Sequence, residues 1–239
     1  MRLWWVVLVG CGGGITAAPK DPVDSGDPVS DTDTDTDSDG DTDADAWSHT
    51  ITVDGDVSDF LTEEGFATTG GTTSITWNET ALYVGIDHTD VAAGSAAHWV
   101  QIYVGNGTGG TSGVQYNTQQ PDLSAAMSHV VRWKADDSFN SLMTWSGQDW
   151  VDNPGLFGTG GSAWAEGSAV EFAIPFGMLG VTDAFYVHIN WLYEGAGFET
   201  TYSPTPAGSH ADEYDPDYGQ TFLFERSGTQ APGSYTATP

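Results

Sequence analysis

Cysteine, basic residues and long apolar runs are what this 239-residue chain has least of. Cys11 is the sole cysteine, so no intrachain disulfide exists and stability has to come from a packed core or a metal. Five Lys and Arg stand against 34 Asp and Glu, and beyond residue 46 the bases are Arg132, Lys134 and Arg226 alone. Phosphate recognition needs clustered bases, so nucleic acid is excluded as a partner, and adhesion to anionic headgroups is disfavoured. The apolar run Leu3 to Val9 is too short to span a bilayer. Gly-x-Ser-x-Gly, phosphate-loop and His-Glu-x-x-His motifs are all missing. Glycoside hydrolysis needs a carboxylate pair, for which Glu166, Glu171 and Glu194 are the available groups, but no spacing marks such a pair and a non-catalytic chain is expected.

What is present begins with Arg2, the apolar run, and Leu8-Val9-Gly10-Cys11-Gly12. A charged start followed by a short apolar stretch has the order of a secretory signal, and Leu-Val-Gly-Cys resembles the lipobox of bacterial lipoproteins. The resemblance implies that residues 1–10 are a removed signal peptide and that Cys11 is acylated. It implies attachment to a membrane through lipid and a place in the cell envelope of a Gram-negative bacterium. Gly12 after the cysteine fits the outer membrane under the sorting pattern of enteric-type lipoproteins. One acyl chain binds only reversibly, and the several chains usual in that family make a lasting anchor. A cysteine spent on lipid also removes thiol catalysis.

Residues 11–46 hold Asp, Thr, Ser, Gly and Pro with little that is apolar, and Asp occupies every odd position from Asp31 to Asp45. Like charges without hydrophobicity make a disordered, self-repelling tether, spanning roughly 30 to 35 Å before charge repulsion extends it. Asp35 to Asp41 mimics the opening of a calcium loop, but Ala46 stands where the bidentate Glu belongs, so a solvated spacer is the better reading.

From residue 47 to 239 short alternating runs are punctuated by Gly, Asn, Asp, Thr and Pro, with no long stretch at helical spacing. This predicts an all-β domain, an antiparallel β-sandwich of about nine strands: 50–53, 73–77, 81–87, 98–105, 129–135, 141–145, 168–174, 184–193 and 220–225. Leu82, Val84 and Ile86 share one face of their strand, as do Val170, Phe172 and Ile174. Asn78-Glu79-Thr80 reads as a hairpin turn, and the Gly-rich stretches 105–113 and 158–161 as loops. Pro175 ends a strand and Met178-Leu179 then caps the sandwich edge.

Three segments in order, Val53-Asp54-Gly55-Asp56-Val57-Ser58-Asp59-Phe60, Ile75 to Ile86 and Val170 to Gly180, resemble the DOMON-like β-sandwich superfamily. Within it the nearest likenesses are family 9 carbohydrate-binding modules and the carboxy-terminal module of glucodextranase-type proteins. Phe60 stands where that pattern usually has Trp, and keeps an aromatic plug. The resemblance implies a carbohydrate-binding fold, and its members with structural calcium bring Asp54 and Asp56 forward as metal ligands. On their own, Asp54-Gly55-Asp56 make a turn that Ser58-Asp59 can close.

Sugar recognition needs flat apolar faces beside amides and carboxylates. Trp145, Gln148, Asp149 and Trp150 fall within six residues, and Trp164, Trp191, Tyr193 and Glu194 form a second group. Trp77, Trp99 and Trp133 sit inside alternating strands as core, and the Asn117 to Pro121 amide run reads as a loop. His210 to Tyr218 packs four carboxylates and a His, a composition that suits either a cation or an acidic surface loop. The leading expectation is a polysaccharide-binding surface lipoprotein. One rival is a haem-binding module drawing on Met127, His129, Met143, Met178, His98 or His188; Met127 and His129, on one predicted strand, would point the same way and cannot oppose each other across a haem. The other is an adhesin without a small ligand.

Overall fold

The structure, a computed structural model, describes residues 45–115, 121–153, 161–195, 197–212 and 217–239. Cys11, the Asp-rich stretch up to residue 44, Asn117 to Gln120 and residues 158–160 of the expected Gly-rich loop lie outside them. In chain order the strands are β1 (Gly65–Thr68), β2 (Gly71–Trp77), β3 (Ala81–His88), β4 (His98–Gly105), β5 (Thr111–Gly113), β6 (Asp122–Met127), β7 (His129–Lys134), β8 (Asn140–Trp145), β9 (Trp150–Asn153), β10 (Ser162–Glu166), β11 (Ala169–Pro175), β12 (Ala184–Gly195), β13 (Phe198–Thr205) and β14 (Phe222–Glu225). Short helices α1 (Thr89–Ala93) and α2 (Phe176–Leu179) follow β3 and β11. Among these elements no helix is long and apolar enough to cross a membrane.

All ladders between these strands are antiparallel. One sheet runs β1-β2-β3-β11-β10 and the other β13-β12-β4-β7-β8-β9, with β14 beside the first half of β12; β5 and β6 pair separately. The domain is an all-β sandwich. Period-two alternation turns one face of each sheet inward. Leu82, Val84 and Ile86 oppose Ile174, Phe172 and Val170 in register, and all six are buried. They meet Val100, Ile102, Val131, Trp133, Val187 and Ile189 from the facing sheet in one core. Aromatic edges lock the layers: Trp77 meets Phe185 at 5.5 Å and 88°, and Trp133 meets Phe172 at 6.1 Å and 80°. Each such side chain contributes roughly 1.5 to 3 kcal/mol by leaving water.

The outer faces are covered too. Residues 49–60 lie across the small sheet, where Ile51 packs on Ala81 and Tyr83. Phe60 is the aromatic plug expected from its position; a Cβ on Gly85 would come within 2.5 Å of its ring, so only glycine admits it. Over the large sheet, β5, β6 and the segment at Tyr218 enclose a second apolar cluster of Tyr103, Val114, Leu123, Met127, Val130 and Tyr218.

Several expectations need correction. Residues 50–53 form no strand: Thr52 N–H donates to the Asp59 carboxylate and Asp54 N–H to Glu171, so side chains replace a ladder. Thr111–Gly113, expected as loop, pairs with β6 despite Gly113. Met127 and His129 do not share a strand. Ser128 separates β6 from β7, donating to Val104 O and accepting from Trp145 N, and Met127 joins the outer cluster while His129 pairs with Val104 of the main core.

Candidate functional site

The hairpin β8–β9 projects from the edge of the large sheet. Its turn is closed by Ser146, whose N–H and hydroxyl both donate to Asp149 O at 2.9 and 2.8 Å while its hydroxyl accepts from Asp149 N–H at 3.0 Å. Gly147 occupies φ +97°, a conformation that side chains resist. This turn sets Trp145 directly opposite Trp150. The indoles meet at 5.7 Å and 65°. Trp150 is held from below by an indole N–H bond to Gly113 O at 3.1 Å and by the edge of Tyr103 at 6.2 Å. Both indoles stay half-buried, and with Gln148, Asp149, Thr111, Val114 and Asp122 they line an open cleft of about 360 Å³.

Four of the expected binding residues, Trp145, Gln148, Asp149 and Trp150, are thus brought into one place. The side chains of Gln148 and Asp149 are exposed and make no hydrogen bond among the described residues, which leaves an amide and a carboxylate beside two aromatic faces. Ser112 Oγ donates to Asp122 Oδ1 at 3.1 Å, holding a second carboxylate at the rim.

The other three do not join them. Trp164 lies on β10 of the opposite sheet, 57% exposed. Tyr193 and Glu194 are consecutive on β12 and so face opposite ways; Tyr193 packs on His98 at 5.0 Å, and Glu194 accepts the Trp99 indole N–H at 2.9 Å. Adjacency in sequence cannot bring two strand neighbours to one face.

Asp54 and Asp56 act as turn-makers. Asp54 Oδ1 accepts Asp56 N–H and Asp56 Oδ1 accepts Ser58 N–H, each at 3.0 Å. Beneath them Glu171, fully buried on β11, accepts the N–H groups of Asp54 and Gly55 on Oε2 at 2.9 and 2.7 Å. Burial pushes its carboxyl above the usual range, and the charges of Asp59 and Asp54 add to this against the two backbone bonds. Glu171 Oε1 and Asp59 Oδ1 are buried and have no hydrogen-bond partner. Among the described residues no set of three acidic, His or Cys side chains is arranged to hold a metal ion. In the acidic segment 210–218, of which Glu213 to Pro216 lie outside the described residues, Asp212 accepts Ser203 N–H at 3.0 Å, Asp217 accepts Asp122 N–H at 3.3 Å, and His210 stacks on Tyr218 at 4.6 Å.

Two polar constellations carry no sequence motif. Asn190, Gln101, Arg132 and Ser141 stand in direct register across β12, β4, β7 and β8 on the outer face of the large sheet, and all four are buried. Gln101 joins them, accepting from Asn190 Nδ2 at 3.1 Å and donating to Gln115 O at 2.7 Å. Arg132 lies over Trp99 with its guanidinium carbon 4.1 Å from the ring centroid. Alternation alone reads these positions as solvent-facing; the covering segments that bury them come from residues far away in sequence.

The second is a Ser–His–Asp set. Ser203 Oγ lies 3.4 Å from His88 Nε2, and His88 Nδ1 lies 3.5 Å from Asp90 Oδ2. Yet His88 Nδ1 accepts Asp90 N–H at 3.1 Å, which puts the proton on Nε2, where it donates to Thr69 O at 2.9 Å. Ser203 Oγ donates to the same carbonyl. A nucleophile needs an adjacent free base, and here His88 is occupied, stacked on Trp191 at 4.4 Å, and 3% exposed. The set is a buried knot between α1, β3 and β13. Burial first, and then the bond its hydroxyl donates to Asp90 at 2.6 Å, push the Tyr202 phenol up, and His98 Nδ1 donates to the same hydroxyl at 2.6 Å.

The cleft between Trp145 and Trp150 is therefore the candidate site: it joins two half-buried indoles to the Gln148 and Asp149 side chains, which make no hydrogen bond among the described residues. Compared with protein-family models, with curated proteins and with solved structures, the chain gives no match.

Proposed function

We propose that this chain is a non-catalytic carbohydrate-binding sandwich, held at the cell envelope by lipid on Cys11 and presented on its acidic tether to polysaccharide. The single observation that carries the sugar-binding reading is the pair of opposed indoles with Gln148 and Asp149 beside them. Indole faces cover the C–H face of a pyranose, and the amide and carboxylate bind hydroxyls at its edge. The cleft is open and rigidly supported, since Trp150 is tied to Gly113 and the turn is closed by Ser146. The likeness of the 53–60, 75–86 and 170–180 segments to carbohydrate-binding modules supports the same reading. The lipobox-like Leu8 to Cys11 supports the anchor.

A glycan array probed with the full chain, alongside Trp145→Ala, tests it. Binding that disappears in the variant while its melting temperature holds is the expected result. An array without any bound glycan defeats the reading.

A further inference from the structure

Resting on that reading of the cleft, we propose that it selects glycans bearing free amines, such as glucosamine oligomers, over N-acetylated and acidic ones. The charged groups lining it are Asp122 and Asp149; no Lys, Arg or His is among the lining residues. They come from two different segments, the start of β6 and the β8–β9 turn, so both put a carboxylate into the cleft that the indoles line.

The bases of the folded domain are committed elsewhere. Arg226 donates to Thr182 O at 3.0 Å and to Glu79 O, and lies over Phe176 at 4.2 Å. Lys134 Nζ sits 4.6 Å from the Trp99 ring, and Arg132 is buried over that same ring. A uronate or sulfated sugar would therefore find no counter-charge and two like charges, in a protein of formal charge −29. An ammonium gains twice: it pairs with a carboxylate, and it is drawn to an indole face. The N-acetyl form keeps the stacking face and loses the charge.

Exposed ion pairs are individually weak, so the discrimination expected is about fivefold per amine in contact, screened by salt. Calorimetric titration of the full chain with glucosamine, N-acetylglucosamine and galacturonate oligomers of equal length, at pH 6 and two salt concentrations, reads it directly. The expected order is amine, then acetylated, then acidic, with the first gap closing at high salt and Asp149→Asn reducing the amine-to-acetyl ratio.

A polyanionic protein also attracts polycations without a site. Trp145→Ala separates the two cases: glucosamine affinity unchanged in that variant overturns the assignment to the cleft. Equal affinity for the acetylated oligomer at the lower salt concentration, or galacturonate binding as tight as that of the acetylated oligomer, overturns the selectivity while leaving a sugar site in place. No heat with any oligomer overturns the sugar-binding reading itself, and this inference with it.

Discussion

Glu171 holds Gly55 through the chain's own backbone: the buried carboxylate on β11 accepts the Gly55 N–H at 2.7 Å and so clamps the 54–56 turn onto the small sheet. Its other oxygen and Asp59 Oδ1 are both buried without a partner. A carboxyl in that position binds its proton more tightly folded than unfolded. It adds stability below the unfolded value, near 4.3, and that stability is lost as pH rises through the raised folded value. Glu171→Gln keeps an acceptor for the turn and removes the buried charge that Asp59 and Asp54 oppose. Thermal melts from pH 4 to 8 should show the variant more stable than the parent at neutral pH, with a flatter decline. Superimposable pH profiles would sink this account.

His188 has the opposite sign. It is fully buried, stacked on Tyr218 at 4.6 Å, and pushed down to about 3, first by burial and then by the nearby His210. The unfolded chain binds this proton and the folded one refuses it, so stability is present above about 6.5 and falls as pH drops towards 3, by up to about 1.4 kcal/mol per pH unit. Urea titrations between pH 3 and 7 should show that slope, and His188→Phe should reduce it. A slope that survives the substitution assigns acid sensitivity elsewhere.

Trp145 and Trp150 differ in what supports them. Trp150 is packed against Tyr103 and bonded to Gly113 O, whereas the one ring contact of Trp145 among the described residues is with Trp150. Trp150→Ala should cost about 2 kcal/mol of stability together with binding, and Trp145→Ala should cost binding with under about 1 kcal/mol. Equal destabilisation by both would contradict the geometry.

Gly55 is needed for a steric reason. Its φ is +87°, and an added Cβ would lie 2.8 Å from Glu166 Cβ and 3.0 Å from Glu166 N. Gly55→Ala should destabilise by about 2 kcal/mol, from positive φ plus displacement of the turn from Glu171. A melting temperature equal to the parent's would show that β10 yields freely.

Cys11→Ser tests the anchor separately from the fold. The parent should partition with membranes and incorporate labelled fatty acid, and the variant should do neither while its sandwich melts at the same temperature. Label retained in the variant would remove Cys11 as the acceptor.

Much of the sandwich was legible along the chain because strand alternation is a local signal. Leu82, Val84 and Ile86, and Val170, Phe172 and Ile174, declared their inward faces, and Asn78 to Thr80 declared its hairpin. The short strands β1, β5, β6, β9 and β10 and the eight-residue β13 were not legible. Three- to six-residue runs such as Thr111–Gly113 or Asp122–Met127 carry little hydrophobic contrast, and β13 breaks its register between Ile189 and Trp191 of its partner.

The site divides the same way. Trp145, Gln148, Asp149 and Trp150 were legible together because a tight hairpin keeps sequence neighbours close in space. Trp164 is carried to the other sheet, and Tyr193 and Glu194 are turned apart, by pairings between residues distant in sequence. Composition and short-range pattern by themselves determined an acidic, disulfide-free β protein with two tryptophans five apart in one polar segment. Only the tertiary structure decided which outward faces would be covered: the long-range segments that bury Asn190, Gln101, Arg132 and Ser141 take them from solvent, while nothing described closes the cleft beside Trp145.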